Sequence, residues 1–256
     1  MLNIEQHHEH RHKPTLRVHL AVSDSEVLSA QKLRWRVFAD EMGARLNSAT
    51  PGIDRDLFDA FCKHLIVRDE ANGRIVGTYR ILTPEAAREV GAYYTDSEFD
   101  LIRLQHLRPQ LVEVGRSCID PEYRGSAAVI ALLWSGLANF MQTHGYEYLM
   151  GCASIGMADG GHNAVAIYDR MAQHLCPPEY RVFPRTPLPL DHITPAAEVD
   201  VPPLIKGYLR AGAWVCGEPA WDPDFNTADL PLLMPMSRIS TRYARHFVPG
   251  CELQAA

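Results

Sequence analysis

The sequence has no closely spaced cysteines. Its six cysteines are scattered, and no two of them have the CxxC spacing of a zinc or redox motif. Several lie within apolar stretches, which is typical of reduced, buried cysteines in an intracellular protein. Four histidines occur between residues 7 and 12, but no apolar residues surround them that would fix a metal site. We therefore expect no metal centre, and we predict that residues 1–15 form a disordered, His-rich tail.

The sequence also lacks a long hydrophobic run and an excess of positive charge. The longest apolar runs are VIALLW and LPLLMPM, which are far shorter than the roughly 20 residues of a membrane-spanning helix. The first residues lack the apolar core of a signal peptide. There are 25 basic against 31 acidic residues, and a mildly acidic chain is a poor ligand for nucleic-acid phosphates. We expect a cytoplasmic protein that binds no nucleic acid.

Two common catalytic motifs are missing as well. No GxSxG sequence surrounds Ser117 or Ser154, which argues against a nucleophile elbow of the α/β-hydrolase type. The glycines of GCASIGMADGGH do not follow the GxGxxG order of a dinucleotide-binding turn. These absences remove such hydrolases and nicotinamide-dependent enzymes from the candidate functions.

Hydrophobic periodicity predicts an alternation of strands and helices. Ser23 and Glu26 have capping-box spacing and begin a helix that ends near Met42, whereas Asn72-Gly73 predicts a tight hairpin. The other predicted helices are 84–92, 126–145, 162–175, 202–212 and 237–247, and the predicted strands are 16–22, 64–69, 74–82, 111–119, 148–154 and 230–236. Prolines place the last strand at an edge. We predict an α/β fold with a mixed central sheet and helices on both faces.

The strand 111–119 carries two charged residues, Glu113 and Arg116, in apolar surroundings. A carboxylate there is costly unless it is paired or used. Glu113 could act as a general base that deprotonates an attacking amine, or it could form a structural ion pair with Arg116 or Arg80. Residues three apart point to opposite faces of a regular strand, and a bulge at Gly115 would bring Glu113 and Arg116 together.

A turn after this strand leads into the helix 126–145. The free N–H groups and the positive dipole end of a helix N-terminus bind phosphate well. The phosphopantetheine arm of an acyl donor carries such a phosphate. The alternative is an ordinary turn between a strand and a helix, and local sequence alone does not separate the two.

Eight runs of the sequence together resemble the ornithine lipid synthases, which are L-ornithine N-acyltransferases. The runs, in order, are LRWRVFADEMGA, FDAFCKHLIV, IVGTYRIL, EFDL, LVEVGRSCIDPEYR, LLWSGL, GCASIG and PPLIKGYLRAGAWV. The resemblance covers about residues 16–247. It implies a GNAT-like acyl-acyltransferase fold in a single domain, 16–256, with an extended C-terminal region at about 177–256. It also implies transfer of a 3-hydroxyacyl chain from acyl carrier protein to ornithine, which gives lyso-ornithine lipid.

The same resemblance implies a set of site residues. The family is similar in fold to the acyl-homoserine lactone synthases, which share an Arg-x-x-Phe-type first helix, an acidic loop, an arginine at the hairpin end and a Glu-x-x-Arg strand. Here the matching positions are Arg34 or Arg36, Phe38, Asp54, Asp56, Asp59, Arg80, Glu113 and Arg116. Of the two arginines we select Arg36, because we interpret Arg34 as a surface side chain that covers apolar area.

The implied donor-binding residues are Arg124, Gly125 and Ser126. Their stretch has one glycine, whereas a standard GNAT loop has several small residues around the pyrophosphate of coenzyme A. A single glycine suits a carrier-protein arm, which has one phosphate. We therefore expect no permanently bound cofactor and the acyl-phosphopantetheine of acyl carrier protein as co-substrate. Any contact with the inner membrane is expected to be peripheral, because the apolar runs are short. Tyr168 matches the thiolate-protonating tyrosine of GNAT enzymes only loosely, and we favour a packing role for it.

The resulting hypothesis assigns a role to each group. Glu113 accepts the ammonium proton, and Arg116 or Arg80 holds the α-carboxylate. Asp54, Asp56 or Asp59, which together form the acidic loop, attracts the δ-ammonium of ornithine. Two alternatives remain at this stage. One is an acyl-homoserine lactone synthase or an N-acyl amino acid synthase with another acceptor. The other is a non-catalytic GNAT-like protein that binds acyl carrier protein or lipid.

Overall fold

The computed structural model describes residues 14–239. The strands are β1 (Leu16–Leu20), β2 (Lys63–Asp69), β3 (Arg74–Leu82), β4 (Phe99–Asp100), β5 (Leu111–Ile119), β6 (Tyr148–Gly156), β7 (Phe183–Pro184), β8 (Trp214–Val215), β9 (Ala220–Asp222) and β10 (Thr227–Pro235). The predicted tail lies almost entirely outside the described residues, as does most of the predicted helix 237–247.

The helices follow the predicted order. They are α1 (Asp24–Trp35), α2 (Pro84–Val90), α3 (Ala128–His144), α4 (His162–Asp169) and α5 (Pro203–Ala211). The Ser23 side chain caps α1 as predicted, and a π-helical segment, Arg36–Glu41, continues it. Gly145 ends α3 in the left-handed conformation, which glycine adopts without steric cost. No helix in the described part of the chain is long and apolar enough to cross a membrane.

Within residues 14–239, eight strands form one mixed sheet. Its order is β1-β2-β3-β5-β6-β10-β8, with β9 also paired to β10. The β5–β6 pair is parallel and the other pairs are antiparallel. Side chains alternate between the two faces of β2, so that Leu65 and Val67 pack in the cluster with α3 while Ile66 packs with α1. The predicted mixed sheet with helices on both faces is confirmed.

The predicted edge position of the last strand is wrong. β10 lies inside the sheet, with β6 on one side and the short strands β8 and β9 on the other. β9 pairs with residues 227–229 and β8 with residues 232–233, so Pro231 falls between them. Its carbonyl still accepts a hydrogen bond from the N–H of Cys216 at 2.8 Å. A proline is tolerated here because its missing donor faces a gap between two strands.

The centre of the sheet is irregular at β5. Gly115 pairs with Arg80 and Cys118 pairs with Thr78, so Arg116 and Ser117 together face the single residue between them on β3. Arg116 has a positive φ of 50°, which marks a bulge. On its other side β5 pairs with β6 only over Leu111–Glu113 and Tyr148–Met150. Beyond that short ladder the two strands border a cavity.

Candidate active site

A cavity of about 890 Å³ lies between β5 and β6 and extends under α5. This is within the size range of small-molecule sites. Seven of the predicted site residues line it, namely Phe38, Arg80, Glu113, Arg116, Arg124, Gly125 and Ser126. Arg36, Asp54 and Asp59 are not among the lining residues.

Glu113 is buried in the cavity wall, with 5% of its surface exposed. Its carboxylate accepts hydrogen bonds from the backbone N–H groups of Tyr94 and Thr95, both at 2.7 Å, and from the Thr95 hydroxyl. Burial raises the pKa of Glu113 above its ordinary value, although these hydrogen bonds oppose the shift. A carboxylate with a raised pKa is suited to accepting a proton from an ammonium group.

The bulge does not join Glu113 to Arg116. Among the described residues Glu113 forms no ion pair, so the predicted structural pairs with Arg116 or Arg80 are wrong. Both arginines pair instead with the acidic loop. At Arg116 the left-handed backbone conformation turns the side chain toward that loop. Glu113 is therefore held by neutral donors and is free to exchange a proton.

Arg34 is completely buried, with 0% of its surface exposed, so its interpretation as a surface side chain is wrong. Its Nε lies 2.8 Å from Asp54 Oδ2 and its Nη2 lies 2.8 Å from Asp59 Oδ1. Arg36 lies about 200° further round the helical turn, is 51% exposed at its side chain and pairs with Asp120. Of the two arginines, Arg34 joins the buried network and Arg36 lies outside the cavity lining.

The acidic loop holds arginines at the cavity wall. Arg80 Nη1 lies 2.6 Å from Asp56 and 3.0 Å from Asp59, while Arg116 lies 3.3 Å from both Asp54 and Asp56. Burial alone would raise the pKa of Asp59, but the charges of Arg34 and Arg80 lower it well below its ordinary value. The charges of Asp54 and Asp59 are thus already compensated, and their placement does not support the predicted direct contact with a substrate.

Aromatic rings fix the orientation of the two arginines in the wall. The Arg116 guanidinium lies 4.9 Å from the centre of the Tyr94 ring and 4.7 Å from that of Phe225. Arg80 lies 5.7 Å from the Tyr94 ring. Phe38 packs edge-on against Phe225 at 5.7 Å. Two oriented guanidinium groups at the wall of an apolar cavity are suited to binding a carboxylate.

The start of α3 borders the same cavity. The N-cap residue Ala127 offers no side-chain acceptor, and only the Ser126 hydroxyl accepts from the Ala128 N–H, at 3.1 Å. Arg124 pairs with Glu41 and is half exposed. The first turn of this 17-residue helix therefore presents N–H groups and a dipole end to the cavity. Tyr168 packs against the cluster around α4 and does not line the cavity.

Sequence reasoning missed a second group of charged residues in the cavity lining. Glu98, Asp222 and Asp229 approach one another closely, with one carboxylate oxygen of each within 4.8 Å of the others. Glu98 comes directly after the turn Tyr94–Ser97, which contains the donors to Glu113. Asp222 ends β9, and Asp229 lies in β10. Glu98 is far from Asp222 and Asp229 along the chain, so the spacing of the three residues predicts no common site, and Glu98 entered the sequence analysis only as part of the EFDL run.

Comparison with known proteins decides the family. An L-ornithine N(alpha)-acyltransferase of Brucella abortus (strain 2308) is 37% identical over 252 residues, which cover 91% of this chain and 89% of that protein. One of Rhizobium meliloti (strain 1021) is 36% identical over 251 residues, which cover 91% of this chain and 84% of that protein. The chain belongs to the L-ornithine N(alpha)-acyltransferase family. The resemblance found in the sequence is thereby confirmed.

One family model and two solved structures also agree with the fold of this acyltransferase. Residues 33–135 match a family model described as an acetyltransferase (GNAT) domain. The crystal structure of the acyl-homoserine lactone synthase LasI has a TM-score of 0.56 at 14% identity and covers 95% of this chain and 100% of its own. FeeM, an N-acyl amino acid synthase from uncultured soil microbes, has a TM-score of 0.55 at 14% identity and covers 88% and 92%. The predicted GNAT-like fold is confirmed.

Proposed function

We propose that this protein transfers a 3-hydroxyacyl or other fatty acyl group from an acyl-thioester to the α-amine of L-ornithine, which gives lyso-ornithine lipid. The observation that carries the proposal is the placement of Glu113, a buried carboxylate with a raised pKa, in a cavity wall that also contains Arg80 and Arg116. The family to which the chain belongs supports the choice of acceptor.

The reaction divides into proton removal, attack and departure of the thiol. An α-ammonium group loses a proton to the Glu113 carboxylate, directly or through water, and its nitrogen then attacks the thioester carbonyl carbon. A C–N bond forms and the C–S bond breaks. The departing thiolate takes up the second proton of the amine nitrogen, which leaves an amide and a thiol, and the first proton passes from Glu113 to solvent. Arg116 or Arg80 pairs with the α-carboxylate and holds the amine in position for attack.

The proposed donor is the acyl-phosphopantetheine of acyl carrier protein. Arg124, Gly125 and Ser126, together with the free N–H groups of α3, would bind its single phosphate. The acyl arm would lie between β5 and β6, where strand pairing ends after Glu113 and Met150. The stretch has one glycine, which favours this donor over coenzyme A. Contact with the cytoplasmic face of the inner membrane would suit release of a lipid product.

The test is a mass-spectrometric assay of the full-length protein. The protein is incubated with a 3-hydroxyacyl carrier protein, or with the matching acyl-coenzyme A, and an equimolar mixture of amino acids. Acyl-ornithine formed from the carrier-bound donor supports the whole proposal. A different acyl-amino acid would keep the mechanism and replace the acceptor, and absence of any product with both donors would refute the proposal.

A further inference from the structure

Glu98, Asp222 and Asp229, here called the acidic cluster, place three carboxyl groups together in the cavity lining. No lysine or arginine in the described part of the chain forms an ion pair with any of them. Both carboxylate oxygens of Glu98 are buried and accept no hydrogen bond from an N–H or O–H group of residues 14–239, although the weak thiol donor of Cys152 lowers the pKa of this side chain. An unpaired buried carboxylate in a cavity wall is suited to binding a positively charged group.

The described hydrogen-bond donors to Asp222 and Asp229 are neutral groups. Asp222 Oδ1 accepts from the backbone N–H groups of Asp224 and Phe225 at 2.8 and 3.0 Å, and Asp229 accepts from the Thr227 hydroxyl at 3.1 Å. Burial and the adjacent Asp229 charge raise the pKa of Glu98 to about 8. Burial, followed by the charge of Asp222, raises the pKa of Asp229 to about 6. A bound cation would relieve this crowding of negative charge.

The cluster is connected to the catalytic base through two side chains. Thr95 donates to Glu113 and lies 3.8 Å from Cys152 Sγ, and Cys152 in turn interacts with Glu98. In the same cavity wall Arg80 and Arg116 pair with the acidic loop and still face the cavity. One cavity therefore contains a proton acceptor, a carboxylate-binding wall, and an uncompensated anionic wall.

We propose that the acidic cluster is the subsite that binds the side-chain ammonium of the acceptor amino acid. The inference rests on the proposed function, since it assigns the second amine of ornithine to a place in the same cavity. A diamino acid whose α-amine meets Glu113 and whose carboxylate meets Arg116 would direct its terminal ammonium away from both groups. The acidic loop cannot take that role because its carboxylates are already paired with arginines.

The test compares L-ornithine with L-norvaline, which has the same carbon skeleton but no terminal amine. For the full-length wild type, kcat/KM should be higher for ornithine. In Glu98→Gln and Asp229→Asn the ratio of kcat/KM for ornithine to that for norvaline should fall about 10- to 100-fold, since each change removes a charged hydrogen-bond partner. Glu218→Gln, an exposed glutamate outside the cavity, is the matched control and should leave the ratio unchanged.

A binding measurement separates this inference from the proposed function. Ornithine, but not norvaline, should raise the thermal unfolding midpoint of the wild type, and the effect should disappear in Asp229→Asn. If that occurs without any acyl transfer, the subsite stands and the proposed reaction falls. An ornithine preference that survives in both variants would overturn the subsite. So would loss of activity on chelation that a divalent cation restores, since the cluster would then be a metal site.

Discussion

Replacing Asp59 with asparagine removes one charge from the buried network without a change in side-chain size. Asp59 accepts from Arg34 at 2.8 and 3.0 Å and from Arg80 at 3.0 Å. Removing one partner of a buried ion pair costs about 3–5 kcal/mol because the other charge stays buried. Asp54 and Asp56 still face the two arginines, so we expect a loss of about 3 kcal/mol in the free energy of unfolding at pH 7.

The loss should depend on pH in a defined direction. The pKa of Asp59 is lower in the folded than in the unfolded protein, so its carboxylate stabilises the wild type at every pH above the unfolded pKa of about 3.9. That contribution disappears as the pH falls from there toward the folded pKa. The difference between wild type and Asp59→Asn should be constant from pH 8 to pH 5 and shrink below about pH 4.

Urea denaturation at pH 7, 5 and 3.5 measures both effects. Asp191→Asn, at an exposed aspartate, is the matched control and should change stability by less than about 0.5 kcal/mol. An Asp59→Asn protein as stable as the wild type, with a raised KM for ornithine and an unchanged kcat, would refute this reasoning. Asp59 would then contact the substrate, as its position in the sequence first indicated.

Three other substitutions test the site and its frame. Glu113→Gln should lower kcat by about 10²- to 10⁴-fold with an unchanged circular dichroism spectrum, and near-normal turnover would remove Glu113 from the mechanism. Without ligand, Glu98→Gln should be more stable than the wild type at pH 8 by about 4 kcal/mol. The reason is that the unfolded chain ionises Glu98 near pH 4.5, whereas the folded protein does so at about pH 8. Thermal scans should show no difference at pH 4, and a less stable variant at pH 8 would contradict this pKa. Gly151→Ala should lower the free energy of unfolding by about 1–3 kcal/mol, since its Cβ would lie 2.4 Å from the Val114 carbonyl oxygen. Gly156→Ala is the control, because its Cβ would have nothing within 4 Å. Equal stabilities of the two variants in chemical denaturation would count against a close approach at Gly151.

Local signals in the sequence were sufficient for most of the elements. β5 has the bounds that its apolar run predicts, 111–119, and Gly145 ends α3 where the periodic pattern stops. The hairpin at Asn72-Gly73 is also present, although its connection spans residues 70–73 and only Gly73 has a positive φ. The cap at Gly145 and the turn at Gly73 depend on interactions within a few residues, and the length of β5 follows its apolar run, so the nearby sequence contains the information.

Features that depend on distant pairing could not be predicted in this way. The interior position of β10 depends on two short strands that cover different parts of it, and proline content alone favoured an edge. The choice between Arg34 and Arg36 depends on which side of α1 the acidic loop packs against. Glu98 meets Asp229 only when the sheet is complete, so no local pattern marks it.

The short ladder between β5 and β6 divides the sheet into two halves, β1-β2-β3-β5 and β6-β10-β8. In the described part of the chain no strand pairing crosses this seam beyond Glu113 and Met150, so spreading the halves breaks few backbone hydrogen bonds. Side-chain packing sets the width of the seam. One example is the stacking of Trp134 on Tyr208, whose ring centres are 5.2 Å apart. Side chains can change one at a time while the sheet stays intact. The dimensions of the cavity can therefore evolve without any change of fold.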